Sequence, residues 1–311
     1  MNMVFVNSLI FLAGLILLVA GSNSLIKYSL IFSHIFRISS LLVGMIIIAF
    51  GTSLPEAAVS IVSSLKHHSS IALGNIIGSN IANIGLVLGV AGLIRPLRVE
   101  KKLFQREIPA MLILTALVFL FSLDYKLSRP EGVLLLVFFL GFIFVSWSKD
   151  SQAPSSAKEA SFKKAKVIFW IIGSLVLVVG GANLMVKGGV SLARALGVSS
   201  WVIGMSVFAI GTSLPELAAS AAAAFKKAPA LSLGNVIGSN VFNLSLVLGI
   251  AVLIRPISMS PAIVKFDLLF LIFMSFVFFV FTRTRLRLER WESVALVLFY
   301  FLFLGILWKV V

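Results

Sequence analysis

The sequence predicts an all-α polytopic membrane protein with ten transmembrane helices arranged as two inverted five-helix repeats. Three observations predict it. The 311 residues are 60% apolar and only 12% charged, with a mean hydropathy of +1.12, whereas a soluble domain is nearer half apolar and a quarter charged. The apolar residues fall into long runs separated by short basic stretches, the pattern of a chain that crosses a bilayer many times. The chain also repeats itself at a fixed offset of 160 residues. Gly51-Thr52-Ser53-Leu54-Pro55-Glu56 returns as Gly211-Thr212-Ser213-Leu214-Pro215-Glu216. Residues 44–56 and 204–216 agree at 9 of 13 positions without a gap, and residues 73–96 and 233–256 at 17 of 24. Agreement at that level marks an internal duplication.

Ten spans follow in order, at 4–30, 40–65, 70–94, 105–123, 130–147, 166–190, 200–225, 229–254, 263–281 and 291–308. Each is near the roughly 20 residues that cross the hydrocarbon core, and the first and sixth are long enough to tilt. The first is not a cleaved leader, because Leu15 to Lys27 shares Leu15/Leu175, Leu17/Leu177, Val19/Val179, Gly21/Gly181, Asn23/Asn183 and Lys27/Lys187 with the sixth. A segment repeated in mid-chain belongs to the mature fold. Spans 2 and 7 carry the Gly-Thr-Ser-Leu-Pro-Glu motif. Spans 3 and 8 carry Gly-Asn-x-x-Gly-Ser-Asn, starting at Gly74 and Gly234. The later spans of each half are apolar bulk, with phenylalanines such as Phe276, Phe278, Phe279 and Phe281 expected to face lipid. Serines, lysines and Pro154 make residues 148–165 a polar tether between a first repeat at 1–147 and a second at 166–311.

Charge sets the orientation. With the N-terminus outside, 18 Lys and Arg fall on the inner side and 8 on the outer. The positive-inside rule therefore puts both termini outside and the linker in the cytoplasm of a plasma-membrane protein. Basic loops that set topology and meet anionic lipid account for the net charge of +15, and nucleic acid is not needed as a partner. Because five spans separate the motif copies, the copies cross the membrane in opposite directions. Inverted repeats of this kind hold a substrate near the bilayer midplane on interrupted helices.

The motifs themselves carry the chemistry. Pro55 lacks an N–H for the Gly51 carbonyl and crowds that turn, so span 2 should open and leave carbonyls near Ala49 to Gly51 unpaired. In lipid, free carbonyls survive only where they face protein or a polar cavity. Thr52 and Ser53 precede Glu56 by four and three residues and share its face. A carboxylate, two hydroxyls and free carbonyls form a hard oxygen set suited to Ca²⁺ or Na⁺. Asn75, Ser79 and Asn83, at i, i+4 and i+8, draw one polar stripe on span 3, and Asn235, Ser239 and Asn243 repeat it on span 8.

Plainer readings exist for several of these residues. Gly74, Gly78, Gly234 and Gly238 also suit helix packing, and the asparagines at 75, 80, 83, 235, 240 and 243 also suit interhelical hydrogen bonding. Glu56 and Glu216 are different. A carboxylate at bilayer depth costs roughly 2.5–3.5 kcal/mol, and neither motif supplies a Lys or Arg to pair with it. Absence of cysteine excludes disulfides and thiolate metal sites. His34, His67 and His68 sit near span ends and read as solvated. No nucleophile or histidine cluster accompanies the carboxylates in the spans, so the chain is not read as an enzyme, and no cofactor is expected.

The paired motifs resemble the two alpha repeats of sodium/calcium exchangers, in the calcium/cation antiporter superfamily, in their prokaryotic form. The resemblance implies four ion sites in a diamond between spans 2, 3, 7 and 8, filled by Na⁺ and Ca²⁺ as transported substrates. It carries the central ligands onto Glu56 and Glu216, hydroxyl ligands onto Thr52, Ser53, Ser79, Thr212, Ser213 and Ser239, and backbone carbonyls onto Ala49 and Ala209. Asn83 and Asn243 would flank the centre. Spans 1 and 6 would slide across the remainder to switch access. Some members carry an aspartate where this chain has Asn83 or Asn243. The two remaining carboxylates would be neutralised by one Ca²⁺ or two Na⁺. A third Na⁺ would leave one charge to move, at about 2.3 kcal/mol per 100 mV. The missing aspartate leaves the number of Na⁺ sites and any proton coupling open. The expectation is a Na⁺/Ca²⁺ antiporter working by alternating access, with a Ca²⁺/H⁺ antiporter as the alternative and a cation channel as a more distant one.

Overall fold

The structure, a computed structural model, describes residues 3–65, 69–146, 164–195 and 211–310. Ala209, the His67-His68 pair and nearly all of the 148–165 linker lie outside the described residues.

Helix α1 (Met3–Phe36) has 34 residues, roughly 50 Å at 1.5 Å per residue. That exceeds the hydrocarbon thickness and calls for tilt. It runs past the predicted end at residue 30 and stops at Arg37, whose φ of 53° is the left-handed geometry of a helix C-terminus. Ser39 then caps α2 (Ser40–Thr52), its hydroxyl accepting from Leu42 N at 3.2 Å. Helix α3 (Leu54–Leu65) follows α2 at a 49° bend. Next come α4 (69–94), α5 (Lys101–Phe121, kinked at Arg106), α6 (Arg129–Ser146) and α7 (Lys164–Ala195). Like α1, α7 is longer than expected at both ends. Helices α8 (Leu214–Phe225), α9 (Pro229–Ile254), α10 (Ile263–Arg285) and α11 (Arg290–Val310) complete the chain. Among the described residues, eight helices are long and apolar enough to cross a membrane, and the bent α2–α3 pair makes a ninth.

Burial sorts these helices. In both α4 and α9, 78% of the apolar window is buried inside the protein, against 17% for α1. The second motif therefore sits on the two central helices. Ile16, Leu140, Phe144 and Phe169 are among the exposed apolar residues of the outer ones, where lipid would meet them. Phe276 is also exposed, but Phe278 is fully buried in the main core. The expectation that all four phenylalanines face lipid fails at Phe278, because residues two apart point to different sides of α10.

Two apolar clusters hold the helices. The larger one joins α4 and α9 to α5, α6, α10 and α11 through Ile76, Ile84, Leu114, Val236, Leu248 and Met274, among others. A second one joins α1, α7 and α8 through Leu25, Ile26, Val167, Val178, Ala219 and Ala223, and takes in Val43 and Ile48 of α2 and Leu231 of α9. Small residues permit the closest crossings. A Cβ on Gly14 would lie 2.7 Å from Gly181 O, and one on Gly181 would lie 2.8 Å from Gly14 O, where α1 meets α7. One on Gly238 would lie 2.5 Å from Met45 O, where α9 meets α2. Gly234 and Gly238 are thus packing residues, but a Cβ on Gly74 or Gly78 would meet no described atom within 4 Å, so the plainer reading holds for the second repeat and fails for the first.

Short strands tie the loops. Strand β1 (Leu97–Arg98) pairs antiparallel with β4 (Arg287–Leu288), and β2 (Lys126–Leu127) with β3 (Ile257–Ser258). In the ten-span plan β1 and β4 both fall on the inner side, and β2 and β3 on the outer. Each pair thus joins two loops that the charge count puts on one face.

Candidate functional site

Both copies of the first motif break their helix in the same way. Ser53 ends the first half of span 2 at φ −86°, ψ 7°, and Ser213 precedes α8 at φ −87°, ψ 5°. Each break turns a glutamate inward, and Glu56 and Glu216 are both fully buried. The carbonyl of Ala49 is not left free as expected. It accepts from Ser53 N at 3.0 Å and lies 3.4 Å from Thr52 Oγ1, because the backbone stays helical until Ser53. The carbonyl that loses its donor to Pro55 is that of Gly51.

A matching pair of amides pins the breaks. Asn75 Nδ2 donates to Glu56 O at 3.2 Å and to Ser60 Oγ at 2.9 Å. Asn235 Nδ2 donates to Glu216 O at 3.3 Å and to Ser220 Oγ at 2.9 Å. The two sets are identical at the 160 offset. Asn75 and Asn235 therefore hold the glutamate backbones, a role the sequence reading left undivided from ion binding. Ser60 and Ser220 went unremarked, although each stands one helical turn after its glutamate on the same face.

The remaining side chains meet across the repeats. Ser53 Oγ lies 2.8 Å from Glu216 Oε1 and 2.9 Å from Ser239 Oγ. Thr52 Oγ1 donates to Ile48 O at 3.0 Å and reaches Asn235 Oδ1 at 3.2 Å. Ser79 Oγ is 3.3 Å from Thr212 Oγ1, and Asn83 Nδ2 donates to Asn240 Oδ1 at 3.1 Å. Ser213 and Asn243 are buried in the same region, and neither side chain has a hydrogen-bond partner among the described residues. Of the sequence-predicted ligands, only Ala209 lies outside the described residues.

The electrostatics follow from this. Three of the four carboxylate oxygens, both of Glu56 and Oε2 of Glu216, are buried without a hydrogen-bond partner among the described residues. An unpaired buried carboxylate is costly, and the Ser53 hydroxyl is the one side-chain group bonded to either carboxylate among the described residues. Among the described residues no cluster of His, Cys, Asp and Glu offers a transition-metal set. Two carboxylates with neutral oxygen donors suit a hard cation. Outside the spans, Lys226 donates to Asn23 O, linking the end of α8 to α1. Partial burial, and then the nearby charge of Lys27, lower its pKa from the ordinary lysine value.

A bundle of apolar helices with two buried glutamates at matched helix breaks defines a membrane carrier for cations. The chain belongs to the sodium/calcium exchanger family, whose profile matches residues 6–148 and 166–309. It is 32% identical to the sodium/calcium exchanger MaX1 of Methanosarcina acetivorans, over 99% of this chain and all of that one. It is 33% identical to the inner membrane protein YrbG of Escherichia coli, over 86% of each. The fold matches the sodium-calcium exchanger NCX_Mj, crystals of which were soaked with Na⁺ and Sr²⁺, with a TM-score of 0.85 at 32% identity over 96% of this chain and 97% of that one. These relatives place the protein among membrane antiporters and outside the enzymes.

Proposed function

We infer that this chain exchanges Na⁺ for Ca²⁺ across the plasma membrane by alternating access. One observation carries the reading: two fully buried glutamates keep three carboxylate oxygens unpartnered, the Ser53 hydroxyl lies against the fourth, and no cationic side chain pairs with them among the described residues. Ca²⁺ binds between Glu56 and Glu216, with Thr52, Ser53, Ser79, Thr212, Ser213, Ser239, Asn83, Asn243, the Ala209 carbonyl and the second lone pair of the already bonded Ala49 carbonyl completing the sites. Na⁺ ions compete for the same oxygens, so the two loads exclude one another and are coupled. The architecture is ten helices in two inverted five-helix repeats, 1–147 and 166–311, joined by a cytoplasmic linker at 148–165, with both termini outside. The crosswise strand pairing, β1 with β4 and β2 with β3, supports that parity. The close glycine crossing of α1 and α7, and their packing on the small alanines of α8, support these two helices as the moving part.

The test is radiolabelled Ca²⁺ uptake into Na⁺-loaded proteoliposomes at equal pH on both sides. Uptake should require the outward Na⁺ gradient. Glu56→Gln and Glu216→Gln should each lower it at least about 100-fold, the order of effect expected when a buried charged ligand worth roughly 3 kcal/mol is lost. Uptake indifferent to Na⁺ but driven by an outward proton gradient would assign the proton as the coupling ion. Wild-type rates in either variant would remove the glutamates from the site.

A further inference from the structure

The scaffold around the two glutamates obeys the repeat symmetry, but the side chains facing the ions do not. Asn75 and Asn235 make the same two bonds in both halves. Asn83 Nδ2 donates to Asn240 Oδ1 at 3.1 Å, and Asn240 Nδ2 reaches across to Asn80 O at 3.5 Å. The repeat offset relates the first bond to one from Asn243 Nδ2 to Asn80 Oδ1. That bond is not made. Both polar atoms of Asn243 and the Oδ1 of Asn80 are buried without a partner among the described residues. Asn80 instead folds back onto its own helix, donating to Ile76 O at 2.7 Å.

The same imbalance recurs at the carboxylates. Ser53 Oγ is bonded to Glu216 and Ser239, while the hydroxyl of its repeat mate Ser213 and the carboxylate oxygens of Glu56 are buried without a hydrogen-bond partner among the described residues. Two bonds are thus made in one sense across the repeats and not in the other. A carrier built from inverted repeats switches access by moving one part against the other around a fixed site, and because the halves are copies, each can take up the bonding pattern of the other.

We propose that Asn80 and Asn240 are positioning residues that form two alternating cross-repeat latches, Asn83–Asn240 in the state seen and Asn243–Asn80 in the opposite one. Each latch turns the amide of one site asparagine and so sets which of the two sites presents its oxygen to the ions. In each state one cross-repeat bond is made and its mate is not, so the two states lie close in free energy, as a carrier that interconverts rapidly requires. The proposal rests on the exchanger reading.

The experiment uses the full chain in proteoliposomes, with Na⁺-driven Ca²⁺ uptake as the readout for Asn80→Ala, Asn240→Ala and the double variant. Each single variant removes one latch and biases the equilibrium toward one state, in opposite directions. Each should lower turnover roughly 2- to 10-fold, the bias that one net hydrogen bond imposes. The double variant should recover to nearer the wild-type rate than either single one, because the bias cancels. A merely structural role predicts the reverse, with losses that add. Asn80→Ser and Asn240→Ser repeat the series if an alanine variant fails to fold. Additive losses, or single variants at the wild-type rate, overturn the latch. A wild-type chain without Na⁺-driven uptake overturns the exchanger reading and the latch with it.

Discussion

Asn235 shows what a single buried amide does in this centre. Its two N–H groups are used on the Glu216 carbonyl and the Ser220 hydroxyl, and its oxygen lies within reach of Thr52. Asn235→Ala leaves those groups unsatisfied at about 1–3 kcal/mol. The expected outcome is a lower thermal midpoint and a roughly tenfold weaker Ca²⁺ half-saturation, since about 1.4 kcal/mol is a factor of ten. Asn75→Ala should do the same through Glu56, and Ser220→Ala should be milder because it removes one partner rather than the donor of both. An unchanged Ca²⁺ half-saturation in Asn235→Ala would mean that the helix alone holds Glu216. At this scale the residue types were legible and their division of labour was not. Asn75, Asn80 and Asn83 look alike in sequence, yet one pins a backbone, one folds onto its own helix and one crosses to the other repeat.

Helices α4 and α9 depend on close approach as much as on polar chemistry. Each contains a π-helical turn directly after its motif, at Asn83–Leu88 and Phe242–Val247. Such turns are frequent at functional sites because they re-aim the side chains that follow. Gly238 lets α9 meet α2, and a Cβ there would lie 2.5 Å from Met45 O and 2.6 Å from Met45 Cα. Backbone cannot give way as a side-chain tip can. Gly238→Ala should cost about 1–3 kcal/mol by overpacking, seen as a lowered thermal midpoint of the purified protein. Gly305→Ala is the control. Its Cβ would meet no described atom within 4 Å, and removing a helix glycine there should be neutral or stabilising by about 0.5–1 kcal/mol. Equal losses in both variants would mean that Gly238 is not a contact point. Helix existence was readable from apolar runs, but the extra length of α1 and α7 was not, because polar and apolar residues both continue a helix once tertiary contacts support it.

For the whole molecule, the strand pairs turn topology into something measurable. Cα partners in an antiparallel pair lie about 4.5–5.5 Å apart, inside the range a disulfide spans, and the chain has no cysteine of its own. Arg98→Cys with Arg287→Cys should cross-link, and so should Lys126→Cys with Ser258→Cys, since these are register partners. In oriented vesicles a membrane-impermeant reductant should open the first bond only from the linker side and the second only from the other. Both opening from one side would sink the inverted-repeat parity.

By itself the sequence determined the membrane class, the duplication, the two carboxylates at helix breaks and their hard-oxygen company. These are properties of residue type and spacing, and a 160-residue offset records them without reference to packing. Only the tertiary structure decided that Phe278 is core, that the Ala49 carbonyl is already bonded, and that the Ser53–Glu216 and Asn83–Asn240 bonds form without their repeat mates. Those outcomes depend on how helices from different repeats are rotated and set in register against each other. Two copies of one motif carry the same instructions in both halves, so the sequence is symmetric where the folded centre is not.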